Sequence, residues 1–310
     1  MIVFDAVIIG EGPAGVTAAL YLARSGSTVL LCEKMTTGGQ VLQTASLENY
    51  PGYPHGIKGY ELADLFAAHL TDLQNLERKT GTVSDVSGQA GNFHVSFQDG
   101  SSVISRTVLV CTGAKHRSLG IDREQELTGH GVSYCALCDG NFFRGKTVAV
   151  VGGGNAALEE SLYLANIVER IHLIHRRDAF RARKTYQDRL LAMTDKVVLH
   201  LSSAVTQLHG THDLSGLTIQ NMLTHEKVDI DCEALFIYVG FEPVTTFLPA
   251  ELERDDAGFL ITDTEMATNV PGIFAAGDIR SKLCRQVITA AGDGATAAQA
   301  AFVFLEQLHD

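Results

Sequence analysis

The chain of 310 residues is long enough for two domains, since domains usually span about 100–200 residues. Its hydrophobic content of 45% excludes a disordered chain, and the lack of a fixed repeat excludes a fibrous one. The net charge of −12 repels phosphate backbones, so no general nucleic-acid binding is expected. The apolar runs, such as residues 234–240, are shorter than the ~20 residues of a membrane span, and no basic leader begins the chain. We therefore predict a cytoplasmic protein without a membrane segment.

The first motif is a glycine-rich loop between a predicted strand at residues 5–9 and a predicted helix at residues 16–25. The loop reads Gly10-Glu11-Gly12-Pro13-Ala14-Gly15. In such a loop the first glycine permits a tight turn, the second lets a pyrophosphate approach the backbone, and the third lets helix and strand pack closely. The next predicted strand, residues 27–32, leads to Glu33, whose carboxylate can accept hydrogen bonds from ribose hydroxyls. The pattern predicts a dinucleotide site rather than a purely structural turn.

A second copy of this pattern lies in the middle of the chain. A predicted strand at residues 146–151 is followed by Gly152-Gly153-Gly154-Asn155-Ala156-Ala157, a predicted helix at 158–165 and a strand at 170–174. At the strand end where the first copy has Glu33, this copy has the basic segment His175-Arg176-Arg177. Arg181 follows four residues later. Arginines can hold a ribose 2′-phosphate, which a carboxylate would repel, so NADP(H) is predicted rather than NAD(H). The alternative is a solvated basic surface.

Two dinucleotide folds in one chain favour electron transfer between two nucleotides. The first copy, with Glu33, suits the adenosine end of FAD, and the basic second copy suits NADPH. This division predicts a flavoprotein.

The third motif is Cys135-Ala136-Leu137-Cys138, which Asp139 follows directly. Two intervening residues place the sulfurs within disulfide reach at a helical turn, where the pKa of a thiol can fall. Asp139 can supply or remove a proton during thiol exchange. We favour a redox-active disulfide over a zinc site, for which no second ligand pair is visible nearby, and over two buried spectator thiols. The other four cysteines are expected to be buried and inert: Cys32, Cys111, Cys232 and Cys284.

Together these motifs resemble the low-molecular-weight thioredoxin reductases, NADPH-dependent flavoproteins of the pyridine nucleotide-disulfide oxidoreductase family. The resemblance covers essentially the whole chain and includes five further segments: residues 38–40, 48–52, 107–113, 272–278 and 285–292. It implies an α/β fold of two Rossmann-like, three-layer dinucleotide-binding domains, with the NADPH domain inserted into a discontinuous FAD domain. The predicted FAD-binding domain is 1–115 with 247–310, and the predicted NADPH-binding domain is 116–246. The chain is expected to cross between them near residues 114–117 and 240–243.

The resemblance also assigns roles to individual residues. Cys135, Cys138 and Asp139 are the implied catalytic residues, with Cys138 nearer the flavin and Asp139 acting as the acid–base group. With the motif residues included, the predicted FAD ligands are Gly10, Gly12, Pro13, Ala14, Gly15, Glu33, Gly39, Gln40, Asn49, Thr112, Gly113, Gly277, Asp278, Arg285, Gln286 and Val287. The predicted NADPH ligands are Gly152, Gly154, Asn155, Ala156, Ala157, Glu159, His175, Arg176, Arg177 and Arg181.

The activity implied by the resemblance is NADPH-dependent reduction of the disulfide of thioredoxin. NADPH reduces the flavin, the flavin reduces the Cys135–Cys138 disulfide, and one of these cysteines then attacks the partner's disulfide while the other resolves the mixed disulfide. Members of the family rotate one domain against the other during this cycle, which makes the crossing segments candidate hinges. A homodimer is expected from the resemblance alone.

Three alternative functions stay open. The first is reduction of another thioredoxin-like or peroxiredoxin-linked disulfide partner. The second is a dithiol oxidase on the same scaffold, against which the arginine cluster argues because an oxidase needs no nicotinamide site. The third is a nucleotide-binding redox sensor without turnover.

Three residues depart from the family pattern. Glu11 places a carboxylate in the first phosphate loop, where many relatives carry serine, and it is expected to matter only if it faces the pyrophosphate. Leu137 replaces the usual threonine between the two cysteines, a change that could shift the redox potential or the partner surface. Cys284 replaces a common tyrosine and is interpreted as a spectator, with a reactive thiol beside Arg285 as the alternative.

Overall fold

The computed structural model of the chain describes residues 3–44 and 47–308. Its helices are α1 (Pro13–Arg24), α2 (Gly59–Ala68), α3 (Ala136–Asp139), α4 (Asn155–Leu164), α5 (Lys184–Leu191) and α6 (Val287–Gln307). Its strands are β1 (Val3–Ile9), β2 (Val29–Glu33), β3 (Leu76–Thr80), β4 (Val83–Gln89), β5 (Asn92–Phe97), β6 (Ser102–Val110), β7 (Ala114–His116), β8 (Val132–Ser133), β9 (Thr147–Gly152), β10 (Arg170–Ile174), β11 (Val197–His200), β12 (Ser203–Gly210), β13 (Leu214–Asn221), β14 (Lys227–Asp231), β15 (Ala234–Tyr238), β16 (Phe241–Pro243) and β17 (Ile273–Ala275). Short 3₁₀ turns cover Gly39–Gln43, Gly140–Phe143 and Gly277–Ile279.

The chain forms two compact units. The first contains the described residues up to 42, residues 50–115 and those from 242 onward. The second contains residues 116–241 and the described part of 43–49. These limits differ from the predicted domains at residues 43–49 and at the second crossing, which lies at 241/242 rather than 246/247. The reason is that β7 and β16, one at each crossing, pair in a two-stranded sheet, so the chain changes units within that pair.

The first unit is built on a seven-stranded sheet of order β3-β2-β1-β6-β5-β4, with β17 also paired to β6. The central strands β1, β2, β3, β6 and β17 run parallel, and β4 and β5 continue the sheet antiparallel. In β1, Ala6 and Ile8 pack towards α1 and α6, whereas Val7 and Ile9 pack towards β4 and β5. Both faces of the inner strand β1 are therefore buried, as is usual for parallel sheets.

The second unit has the same layered plan. Its five-stranded parallel sheet has the order β11-β10-β9-β15-β8, and a separate antiparallel sheet has the order β12-β13-β14. Along β9, Val148 and Val150 pack on the side of α4 and α5, whereas Ala149 and Val151 pack on the side of the antiparallel sheet. Each unit thus has three layers, which confirms the predicted α/β fold class.

Each glycine-rich loop lies at a switch point of its sheet. Strand β1 has β2 on one side and β6 on the other, and β9 lies likewise between β10 and β15. At such a point the connections leave in opposite directions, so a crevice opens beyond the carboxyl ends of the strands. This topology places Gly10 and Gly152 where a nucleotide would bind.

Among the described residues, one helix, α6, is long and apolar enough to cross a membrane by length and composition alone. Its buried residues include Ala290, Gly294, Ala297 and Ala301, which pack in the same core as α1. A Cβ atom added to Gly294 would lie 2.2 Å from the carbonyl oxygen of Ala14, so the two helix backbones touch. The small apolar residues of α6 are therefore explained by close helix packing within the first unit.

Candidate active site

The first phosphate loop has the geometry that its glycines predict. Gly10 has a φ of +104°, and an added Cβ atom would lie 2.5 Å from the carbonyl oxygen of Cys111. An added Cβ atom on Gly15 would lie 1.8 Å from the carbonyl oxygen of Gly10, so helix α1 packs directly against the loop. Gly12 is the N-cap of α1, and no atom lies within 4 Å of the position that its Cβ would take. The loop therefore has open space at Gly12 and an N-terminus without a side-chain cap, which is the arrangement that holds a pyrophosphate.

Glu33 and Glu11 are engaged with the protein. Glu33 accepts hydrogen bonds from the backbone N–H groups of Glu11 (3.0 Å) and Met35 (3.1 Å). The Glu11 carboxylate is buried, accepts a hydrogen bond from the hydroxyl of Thr37 (2.7 Å) and pairs with Arg78 on β3. The departure at Glu11 therefore places no unpaired charge in the loop, because its carboxylate has a cation of its own.

A second loop borders the first. Gly39 has a φ of +57°, and an added Cβ atom would lie 3.3 Å from the Cα atom of Gly12. The Gln40 side chain donates a hydrogen bond to the carbonyl oxygen of Ala114, and the Thr112 hydroxyl donates to that of Val244 (3.0 Å). Gly113 has a φ of +65° beside Gln40. The structure thus brings Gly39, Gln40, Thr112 and Gly113 to the carboxyl ends of β1 and β6.

The segment after β17 completes this edge of the first unit. Gly277 has a φ of +80°, and its backbone N–H donates to the carboxylate of Asp293 (3.1 Å). The Oδ1 atom of Asp278 is buried and has no hydrogen-bond partner, and burial raises the pKa of this carboxyl to about 6. Such a group points to a polar ligand at this position.

The remaining predicted FAD residues fall in three places. Arg285 lies over the ring of Phe259, 4.2 Å from its centroid, and Gln286 caps helix α6, of which Val287 is the first residue. Pro13 and Ala14 form the first turn of α1. Asn49 is exposed and belongs to the second unit, so it is the one predicted FAD ligand outside the first unit.

The second phosphate loop repeats the geometry of the first. Gly154 is the N-cap of α4, carries no side-chain cap and has no atom within 4 Å of an added Cβ position. An added Cβ atom on Gly152 would lie 2.6 Å from that of Ala157, which explains why these two positions stay small. Asn155 accepts a hydrogen bond from the backbone N–H of Arg183 (2.8 Å), and Ala156 and Glu159 are exposed on α4.

His175 and the arginines have different surroundings. His175 is buried, and its ring lies directly against Gly153, where an added Cβ atom would be 2.2 Å from its Cε1 atom. Burial lowers the pKa of His175, so the ring is neutral and supports the loop from below. The side chains of Arg176, Arg177 and Arg181 are exposed, and none forms an ion pair with a described residue. They are therefore available for an anionic ligand.

The two predicted redox cysteines form a disulfide. Cys135 and Cys138 have Cα atoms 5.3 Å apart, and both residues are partly exposed. Cys135 caps helix α3, and its sulfur accepts a hydrogen bond from the backbone N–H of Cys138 (3.2 Å). Three other cysteines, Cys32, Cys111 and Cys232, are buried, and burial raises the pKa of each thiol. Cys284 is exposed, contrary to the expectation that it is buried, because it lies in the loop before α6.

Asp139 is held beside this disulfide. Its Oδ2 atom accepts a hydrogen bond from the hydroxyl of Ser133 (2.6 Å), and its Oδ1 atom is buried without a partner. Burial raises the pKa of Asp139, and the Ser133 hydrogen bond partly opposes that rise. The carboxyl is therefore biased towards the neutral form, which can donate a proton.

Three functional candidates were not predicted from the sequence. Ser133 orients Asp139, Tyr238 accepts a hydrogen bond from the backbone N–H of Ala136 (2.6 Å), and Glu160 has a buried Oε2 atom without a partner. The burial of Glu160 could have been predicted from helical periodicity, because it lies on the same face of α4 as the buried residues Ala157 and Leu164. No local pattern points to Tyr238.

The residues present fit both nucleotides. In the first unit, an open loop at Gly12 and the unpartnered Asp278 carboxyl face the edge where a flavin nucleotide would bind. In the second unit, an open loop at Gly154 precedes a strand that ends in exposed arginines. The chemistry of these groups matches a pyrophosphate in each loop and a 2′-phosphate in the second unit.

Comparison with known proteins decides the family. Residues 4–294 match the family described as pyridine nucleotide-disulphide oxidoreductase. The chain belongs to this family. A thioredoxin reductase from Treponema pallidum is 40% identical over 307 residues, which cover 99% of each protein. One from Mycoplasma pneumoniae is 41% identical over 296 residues, which cover 94% of this chain and 92% of that protein.

Solved structures of pyridine nucleotide-disulphide oxidoreductases agree with this assignment. The crystal structure of thioredoxin reductase from Streptococcus pyogenes is similar with a TM-score of 0.91 at 44% sequence identity, and it covers 98% of this chain and 99% of that one. The predicted resemblance to the thioredoxin reductases is therefore confirmed. Thioredoxin reductases of this family use FAD and NADPH as cofactors.

Proposed function

We propose that the protein is an NADPH-dependent flavoprotein that reduces the disulfide of thioredoxin. The observation that carries this proposal is the Cys135–Cys138 disulfide, which lies in a chain with two open phosphate loops. The second loop is followed by an arginine cluster suited to the 2′-phosphate of NADPH.

Each unit binds one of the two cofactors. The first unit binds FAD through its Gly10–Gly15 loop, the neighbouring Gly39–Gln40 turn and the Gly277–Asp278 turn. The second unit binds NADPH through the Gly152–Ala157 loop and the exposed arginines after β10. The buried ring of His175 packs against Gly153 and so stabilises this loop.

FAD, when bound, would supply the two electrons that reduce the disulfide, and NADPH would be their source as a hydride donor. Cys135 and Cys138 then hold these electrons as one thiol and one thiolate, and the sulfur that becomes the thiol takes up one proton. Asp139 donates this proton, because its carboxyl is biased towards the neutral form and lies in the same turn. Ser133 orients that carboxyl.

Transfer to the partner is a thiol–disulfide exchange. A thiolate of the Cys135–Cys138 pair attacks the disulfide of thioredoxin, the partner's S–S bond breaks, and a mixed disulfide forms. The second cysteine attacks the mixed disulfide, which restores the Cys135–Cys138 bond and releases reduced thioredoxin. Asp139 protonates the departing sulfur and is then reloaded from solvent.

The setting of the enzyme is part of the proposal. We infer a cytoplasmic homodimer that binds neither nucleic acid nor membranes, in keeping with its acidic net charge of −12. The apolar helix α6 fits this inference because its small residues pack in the core of the first unit.

The test is thioredoxin-dependent oxidation of NADPH, followed with a chromogenic disulfide and repeated with NADH and with Cys138→Ser. We expect rapid turnover with NADPH that requires thioredoxin and is lost in the variant. Bleaching of the flavin by NADPH without thioredoxin turnover would assign the enzyme another disulfide partner. Failure of NADPH to bleach the flavin, with oxygen consumption on addition of a dithiol, would instead support the dithiol oxidase.

A further inference from the structure

Glu160 lies against the redox turn although it belongs to a different element. It is on α4, which packs on α3, and the backbone N–H of Leu137 lies close enough to its carboxylate to oppose the rise in its pKa. Leu137 stands between the two redox cysteines. The Oε2 atom of Glu160 is buried and has no hydrogen-bond partner among the described residues. A buried carboxyl oxygen without a partner is unusual enough to require an explanation.

Tyr238 approaches the same turn from the end of β15. Its hydroxyl oxygen accepts a hydrogen bond from the backbone N–H of Ala136 (2.6 Å), the first residue between the cysteines. The position follows from the sheet, because β15 pairs with β8 and the redox turn begins just after β8. The N–H of Ala136 is therefore bonded to Tyr238 and that of Leu137 lies near Glu160, two ionisable side chains from other parts of the second unit.

The charges around Glu160 are all acidic. Burial and the nearby carboxyls of Glu160 and Asp139 raise the pKa of Tyr238, the last residue of β15. Glu159, on the same helix as Glu160, adds to the effect of burial and raises the pKa of Glu160. Strand β9 carries no ionisable side chain, and no group of α5 or β10 influences Glu160. Among the described residues no cation pairs with Glu160. Burial in these surroundings raises its pKa to about 7.

A thiolate formed in this turn adds a further negative charge. Two carboxylates and a thiolate without a cation repel each other strongly in a region of low dielectric. The least costly response is that one carboxyl takes up a proton as the thiolate appears. Glu160 is suited to this role because its Oε2 atom is buried and its carboxylate lies beside the turn.

We propose that Glu160 is a positioning residue of the dithiol centre, which takes up a proton when the Cys135–Cys138 disulfide is reduced and so lets one sulfur remain a thiolate. In this step the S–S bond breaks as two electrons enter from NADPH through the flavin. One proton, donated by Asp139 and replaced from solvent, converts the first sulfur to a thiol, and a second proton, also from solvent, resides on Glu160 beside the remaining thiolate. The inference rests on the proposed redox role of the two cysteines.

The experiment is the pH dependence of alkylation of the reduced FAD-bound enzyme by iodoacetamide, which reacts with thiolates. Glu160→Gln keeps the shape of the side chain but cannot become negative, so thiolate formation should no longer be opposed above neutral pH. We expect its alkylation midpoint to fall by roughly half to one pH unit. Glu169→Gln, which neutralises an exposed carboxylate of the same unit, should leave the midpoint unchanged.

A second measurement guards against a variant that merely perturbs the fold. The infrared difference spectrum between reduced and oxidised wild-type enzyme should contain the carbonyl band of a newly protonated carboxylic acid. This band should persist in Asp139→Asn and vanish in Glu160→Gln. An unchanged alkylation midpoint in Glu160→Gln, or a band that disappears with Asp139 alone, would overturn the inference. Neither readout needs thioredoxin, so loss of thioredoxin turnover in the wild-type enzyme would reject the proposed function separately.

Discussion

Arg78 pairs with the buried carboxylate of Glu11, although Glu11 follows β1 and Arg78 lies two strands away on β3. The Glu11 side chain is 4% exposed and that of Arg78 is 45% exposed. The pair turns the one carboxylate of the phosphate loop away from the position of a pyrophosphate and joins the loop to the sheet.

Removal of the cation should therefore leave a buried charge. We expect Arg78→Ala to lower the free energy of unfolding by about 1–3 kcal/mol, less than for a fully buried pair because Arg78 is half-exposed. Lys79 lies on the same strand as Arg78 and forms a more exposed pair with Asp99, so Lys79→Ala should destabilise the protein less than Arg78→Ala. Adding Glu11→Ser to Arg78→Ala should restore stability, as thermal or urea unfolding would report. Equal losses in the two single variants would contradict this account.

Two glycines of the first loop should respond differently to alanine. Gly15→Ala places a Cβ atom 1.8 Å from the carbonyl oxygen of Gly10, so we expect a protein that is poorly folded and colourless. Gly12 has a φ of −79° and open space around it, so Gly12→Ala should fold but bind FAD at least about tenfold more weakly. Flavin absorbance after dialysis and circular dichroism separate the two outcomes. Full FAD retention in Gly12→Ala would place the pyrophosphate elsewhere.

The exposed arginines after β10 should set the preference for NADPH. Arg176→Ala, Arg177→Ala and Arg181→Ala each remove a charged donor that can meet the 2′-phosphate. We expect KM for NADPH to rise about 10–100-fold for the residues that contact it, with KM for NADH nearly unchanged. Arg189→Ala, an exposed arginine of α5, is the matched control. A similar rise for both nucleotides would mean that the cluster acts on something other than the 2′-phosphate.

Asp139 and Ser133 should control the alkaline limit of activity. Asp139 acts as an acid only while protonated, so thioredoxin turnover falls as pH rises through its pKa, which burial raises. Ser133 donates to the carboxylate and favours the charged form, so Ser133→Ala should raise this pKa further and move the alkaline limb to higher pH. Asp139→Asn should lower kcat by about 10²–10³-fold. Ser215→Ala, an exposed serine of the same unit, should leave the profile in place, and an acidic shift in Ser133→Ala would refute the assignment.

Glu160 should also make stability depend on pH. Burial raises its pKa from 4.5 to about 7, so the folded protein prefers the protonated form. The resulting stability is complete below the ordinary pKa of a glutamate and is lost as pH rises through about 7. Glu160→Gln removes this loss, so its stability relative to wild type should increase by about 1–3 kcal/mol between pH 5 and pH 8.5. Urea unfolding at the two pH values measures the difference, and a constant difference would indicate a solvated carboxylate.

Much of the site follows from local patterns. The strand predicted at residues 170–174 coincides with β10, and the predicted helix at 158–165 lies within one residue of the end of α4. Helix α6 begins at Val287 because Gln286 and Thr289 form a capping box, which local composition does not reveal. The loops are predictable because their glycines are required by backbone contacts a few residues away, as at Gly10 and Gly15.

By itself, the sequence determined the two phosphate loops, the disulfide and the basic end of β10, since each depends on residues close together along the chain. Only the tertiary structure decided where Glu11 points and what surrounds the disulfide. Arg78 is 67 residues from Glu11, and Tyr238 is 102 residues from Ala136. Their contacts depend on the order and register of parallel strands, which bring remote strand ends to one edge of a sheet. A one-residue change in that register would move every such side chain to the opposite face.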